Sequence, residues 1–138
     1  MKTGDIYKHQ LTKTITESDN NLFCLLTMNH HPLHSDIEYA KRTHYSQRVV
    51  VGTLVISLVV GMSVQDISYN AIANLGYEKI THHEPVFIND TIHAQTEILD
   101  IRESKSRPSC NVTYIETKAF NQHDKLVLTL RRHILVPK

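Results

Sequence analysis

The sequence predicts an α+β fold in which an antiparallel, five-stranded sheet wraps around one central buried helix. Two observations predict it. Residues 53–64 are apolar on nearly every side, with Leu54, Leu58 and Met62 at i, i+4 and i+8. That pattern describes a helix enclosed by a core, not one lying on a surface. Downstream, the hydrophobic period falls to two in four successive segments: 71–80, 91–101, 110–120 and 125–136. Such alternation marks half-buried strands. A chain of 138 residues is long enough for one hydrophobic core, so residues 1–138 read as a single domain.

The elements follow in order. Residues 7–15 read as a short strand leading into the fold. Thr16-Glu17-Ser18-Asp19 is a helix start, in which Thr16 caps the first turn, Asp19 reaches back and Ile15 staples from outside. Leu22, Phe23, Leu25 and Leu26 give this helix its apolar face. Pro32 opens a second helix, with Leu33, Ile37 and Ala40 on one side. The β-branched content of 53–64 also suits a strand, but the run is too long for one, and the buried helix is placed from Gly52 onward. Among the strands, 125–136 is the cleanest, with Leu126, Leu128, Leu130, Ile134 and Val136 on one face, interrupted by Arg132. In 91–101 the apolar face slips from Ile92, Ala94 and Ile98 to Leu99 and Ile101, which predicts a bulge. Residues 106–109 and 121–124 are turns. An open sheet leaves an edge that a second copy would cover, so a homodimer is expected.

Composition narrows the function. Hydrophobic residues at 41% and charged residues at 21% exclude a disordered chain. A formal net charge of +1 gives no general attraction to nucleic acid or to an anionic membrane. Cys24 and Cys110 match no zinc or redox spacing, and no disulfide is expected. Residues 1–5 lack the apolar region of a signal peptide, and 49–64 falls short of the ~20 residues that cross a bilayer. The expected location is the cytoplasm.

The chemistry concentrates in 27–36. His30, His31 and His34, the carboxamide of Asn29 and the carboxylate of Asp36 surround Pro32, just upstream of the most apolar run in the chain. Proton-handling groups beside a buried segment suggest a catalytic cleft. A metal centre would need His30 and His34 to act with His82, His83 and Glu84. Pro32 intervenes, however, and no His-Glu-x-x-His pattern is present, so neither metal nor cofactor is expected. Arg102, Lys105 and Arg107 form a basic group at a hairpin, suited to phosphate or carboxylate, or simply to a solvated turn.

Several motifs together resemble the MaoC-like (R)-specific enoyl-CoA hydratase family of the hot-dog fold. They are Thr16-Glu17-Ser18-Asp19 leading into Phe23; Asn29-x-x-Pro32-Leu33-His34-x-Asp36 with Tyr39-Ala40; Gly52; and Pro85-Val86-Phe87-x-x-Asp90-Thr91. Three further pieces are similar to the mesaconyl-CoA and itaconyl-CoA hydratase branch: Gly61-x-Ser63-Val64-x-Asp66, Ala73-Asn74-Leu75-Gly76 and the 102–108 segment. There are departures. The family pattern has Asp where this chain has Asn29 and Asn where it has His31. Its usual Phe-Pro before the Pro-Val segment is replaced by His82-His83, and the narrower branch often has Asn-Ser at Val51-Gly52.

The resemblance implies hydration or dehydration of a short 2-enoyl-CoA, of branched dicarboxylic type in the narrower branch. By position it makes His34 the acid–base imidazole, Gly52 the backbone N–H donor to the developing oxyanion, and Asn29 the water-orienting partner. Val51 and Thr53 beside Gly52, with His31, Asp36, Arg102, Lys105 and Arg107, are the expected substrate-binding residues. A neutral carboxamide cannot take a proton from water, so either His34 alone does the acid–base work or another group assists, with His31 and Asp36 the candidates by proximity in sequence. Two other readings stand beside hydration: an acyl-CoA thioesterase on the same fold, which usually carries a carboxylate to aim its water, and a non-catalytic acyl-CoA-binding protein that has lost the family's Asp.

Overall fold

The computed structural model describes Met1–Lys138. Strands β1 (Ile6–Lys8) and β2 (Lys13–Thr14) precede helices α1 (Glu17–Thr27), α2 (Pro32–Ser35), α3 (Ile37–Lys41) and α4 (Gly52–Ser63). A π-helical turn, Val64–Ser68, then leads into β3 (Ala73–His82), β4 (Thr91–Glu103), β5 (Cys110–Phe120) and β6 (Leu126–Pro137). Every pairing is antiparallel, in the order β1-β4-β5-β6-β3, with β2 also paired to β4.

The central helix forms as its pattern requires. Leu54, Val55, Val59 and Met62 of α4 are buried against Ile92 and Ala94 of β4, Ala119 of β5, and Leu128 and Leu130 of β6. The bulge in β4 falls where the apolar face slips, between Ile98 and Asp100. At 121–124 the Asn121 side chain closes the turn, its Oδ1 accepting from the N–H groups of His123 (2.9 Å) and Lys125 (3.2 Å). Cys24 and Cys110 are buried and unpaired.

Three local expectations change. The first strand is broken in two. Four residues separate Lys8 from Lys13, while only two separate their partners Gln95 and Ile92. His9 still donates its N–H to the Ala94 carbonyl of β4 at 3.1 Å, and its ring nitrogens lie 2.7 Å from Asp66 Oδ2 and from Thr96 Oγ1; the chain leaves the sheet after it. The segment after Pro32 is likewise two helices. Asp36 adopts extended backbone between them and caps α3, accepting from Tyr39 N–H at 3.0 Å. On α1 the capping box of Thr16 and Asp19 forms, but Leu22, Leu25 and Leu26 are exposed, and the helix instead buries Asn20 and Cys24.

Strand β3 is an open edge. All of its residues except Ala73 are exposed, and Leu75, Tyr77 and Ile80 add apolar surface along it.

Candidate active site

A cleft of about 320 Å³ opens at the N-terminal end of α4, between the 45–50 segment and the chain following β3. Its walls include His34, Tyr45, Val50, Gly52, His82 and Glu84.

His34 sits on α2, where Pro32 occupies the first turn and His31 caps it by accepting the Leu33 N–H at 3.1 Å. The imidazole Nδ1 of His34 lies 2.7 Å from the carbonyl oxygen of Val49. A carbonyl only accepts, so Nδ1 carries the proton. The neutral ring therefore keeps its lone pair on Nε2, the form a general base needs.

Gly52 opens α4. The preceding Val51 carbonyl accepts from Leu54 and Val55, while the N–H groups of Gly52 and Thr53 have no acceptor in the chain. Unpaired N–H groups at the start of a twelve-residue helix carry the positive end of its dipole. Asn20 ties the two halves of the site together. It is fully buried, donates from Nδ2 to the carbonyl of His34 (3.0 Å) and accepts from the N–H of Val51 (3.1 Å). Pro85 and Val86 complete the lining: the Val86 carbonyl accepts from Val50 N–H at 2.8 Å, and beyond the cleft Asp90 holds the following turn by accepting from Phe87 N–H at 2.9 Å.

Of the residues singled out in the sequence, His34, Gly52, His82, His83 and Glu84 meet in the cleft. Val51 is buried beneath it and Thr53 is exposed beside it. The His31 ring packs edge-on against His34, 6.1 Å between centroids, behind the cleft wall. Asn29 is half-buried outside the walls, with its Oδ1 3.4 Å from the N–H of His31. Asp36 is spent on its helix cap. Arg102, Lys105 and Arg107 are exposed at the opposite end of β4, about 33 Å along the strand from Ile92 at 3.3 Å per residue. One residue escaped sequence reasoning. Asn20 lacked any apolar signal, although its position one turn before Phe23 and Cys24 places it on their stripe. His82 and His83, read from the sequence as loop or strand-end residues at the cleft mouth, do line the cleft with Glu84, and β3 carries His82 to Gly52. No three His, Cys, Asp or Glu side chains converge as a metal site.

Comparison with known proteins assigns this architecture. The MaoC like domain matches residues 1–119. The chain belongs to the MaoC-like dehydratase family. It has that family's hot-dog fold, a sheet curved around one helix. It is 31% identical over 137 residues to a mesaconyl-CoA hydratase of Cereibacter sphaeroides, covering 99% of this chain and 40% of the relative. It is 27% identical to an (R)-specific enoyl-CoA hydratase of Aeromonas caviae, covering 94% of this chain and 92% of that protein. A crystal structure of a monoamine oxidase regulatory protein from Archaeoglobus fulgius superposes with a TM-score of 0.90 at 33% identity, covering 100% of this chain and 92% of the other. The chain thus spans well under half the length of the mesaconyl-CoA hydratase it matches. No helix is long and apolar enough to cross a membrane.

Proposed function

We propose that this MaoC-like domain catalyses the reversible, cofactor-independent hydration of a short 2-enoyl-CoA in the cytoplasm, and acts as a homodimer. One observation carries the reading: the Val49 carbonyl fixes His34 with a free Nε2 in the same cleft as the unpaired N–H of Gly52. The thioester carbonyl oxygen accepts from Gly52 N–H, and the β-carbon lies toward His34. Nε2 takes a proton from water as the water oxygen bonds to the β-carbon. The π electrons move to the carbonyl oxygen, where the helix N-terminus stabilises the enolate. The enolate collapses as the α-carbon takes a proton from the His34 imidazolium, which restores the neutral ring. Asn29 enters as a positioning residue, through its contact with His31 and the packing of His31 on His34. The likeness to a mesaconyl-CoA hydratase supports a branched dicarboxylic acyl group. The open, apolar edge of β3 supports pairing with a second copy.

A second reading is favoured by Glu84, a carboxylate in the cleft wall. Aimed at the thioester carbon, a water activated there would hydrolyse the substrate. Incubation with crotonyl-CoA, mesaconyl-CoA and itaconyl-CoA separates the readings. Loss of the enoyl absorbance without free thiol is expected. Thiol release supports hydrolysis, and binding without turnover supports a non-catalytic binder.

A further inference from the structure

At the far end of α4 from Gly52 a charge is buried without a counter-charge. Arg132, on the helix-facing side of β6, is 2% exposed. Its Nη2 donates to Ser63 Oγ (2.8 Å) and Ser68 Oγ (3.1 Å), and its Nη1 to Asn74 Oδ1 (3.1 Å). All three acceptors are neutral, and its Nε–H has no acceptor. Arg132 takes part in none of the ion pairs of the chain. Asp66, the acidic residue of the adjoining π-helical turn, is held by His9 at 2.7 Å.

Buried charges in proteins are normally paired, because an ion removed from water is costly unless a partner meets it. The contacts of Arg132 orient it without neutralising it. Ser63 donates its own hydroxyl proton to the Val60 carbonyl (2.7 Å), which leaves its lone pairs for the guanidinium. The carbonyl end of α4 contributes only a fraction of a negative charge.

Arg132 is among the residues that line a cavity of about 260 Å³. Val60, Val64, Ile72 and Ile134 give that cavity an apolar lining, with Ser68 and Asn74 at the cation. We propose that it binds a short-chain monocarboxylate, with the carboxylate against Arg132 and the hydrocarbon body against the four aliphatic side chains. One cation and an apolar wall match a single negative charge on a hydrocarbon. Phosphate has no body for that wall and carries more charge than Arg132 compensates. Twelve residues of helix, about 18 Å at 1.5 Å per residue, separate this cavity from the Gly52 cleft. Within one chain the site is therefore separate from the hydration cleft. It also gives a common role to Ser63 and Asn74, which lie in two sequence motifs that the cleft leaves unused.

The test uses the full chain with ¹⁵N-labelled arginine, following the Nε–H resonance that disappears in Arg132→Lys. Sodium butyrate should shift this resonance saturably and raise the urea midpoint over the same concentration range. Sodium phosphate and sodium chloride at matched ionic strength should do neither. Val64→Trp, at an exposed position of the wall, should weaken the butyrate response at least tenfold. This variant and the urea midpoint serve as the readouts if the Arg132 variant does not fold. Absence of a saturable butyrate response overturns the proposal, as does an equal response to phosphate. A resonance that moves on protein dilution and not with added acid also overturns it, because a second copy then supplies the carboxylate.

Discussion

The imidazole of His82 lies against the bare Cα of Gly52: a Cβ added there would stand 3.0 Å from His82 Cε1 and 3.1 Å from its Nε2. Gly52 is not among the residues with positive φ, so its backbone does not require glycine. What it provides is close approach, at the N–H proposed to meet the substrate. Gly52→Ala is expected to fold normally, since alanine is the better helix former by about 0.5–1 kcal/mol and His82 is the far end of a side chain that can shift. Its hydration rate should fall at least tenfold, with the melting temperature unchanged or raised. An undiminished rate removes Gly52 from the site.

The two histidine-region candidates separate by position. His34 lines the cleft and Asn29 does not. His34→Ala should lower kcat by about 10²–10⁴-fold, the usual contribution of a positioned acid–base group. Asn29→Ala should cost less than tenfold. Steady-state kinetics on the enoyl-CoA that proves active decide the matter, and equal losses would bring Asn29 into contact with the water.

Asn20 offers a structural test of the same site. Removing its side chain leaves the His34 carbonyl and the Val51 N–H without partners in a buried place. Each buried polar group left unsatisfied costs about 1–3 kcal/mol. Asn20→Ala should therefore lose about 2–6 kcal/mol in urea denaturation. Asn20→Asp keeps the acceptor for Val51 and loses the donor to His34, so its loss of activity should exceed what its stability alone explains. A stability loss below about 0.5 kcal/mol for Asn20→Ala would show that solvent replaces both bonds.

Much of this was legible in the sequence because it is local. The apolar periodicity fixed α4 at Gly52, and the slip after Ile98 located the β4 bulge. Strand β5 begins and ends at the residues where alternation does, Cys110 and Phe120. What was hidden depends on partners distant in sequence. The exposed leucines of α1 look like its buried face, whereas the face it buries carries Cys24 and Asn20, the latter hydrogen-bonded to residues 34 and 51. The inward seat of His9 at the end of β1 rests on Asp66, 57 residues away. The contact of His82 with Gly52 needs the whole of β3 to bring them together.

The start of α1 carries a pH signature. The Lys13 ammonium lies 2.8 Å from Asp19, and the Thr16 N–H donates to the same carboxylate oxygen at 2.8 Å. Together they lower the Asp19 carboxyl from 3.8 to about 2, with Lys13 the larger cause. A carboxyl whose folded value is depressed stabilises the fold above its unfolded value, and that stabilisation is lost as protons bind. The contribution is complete above about pH 4 and disappears as pH falls toward about 2. Asp19→Asn has no such proton to bind. In urea denaturation the native chain should lose stability relative to Asp19→Asn across this window, and the gap between them should stay constant from pH 5 to 7, an interval about a unit or more above both values. Lys13→Met should shrink the acid-dependent loss, because the larger cause is gone. Parallel stability curves for the native chain and Asp19→Asn between pH 4 and 2 would show that the pair does not persist in solution.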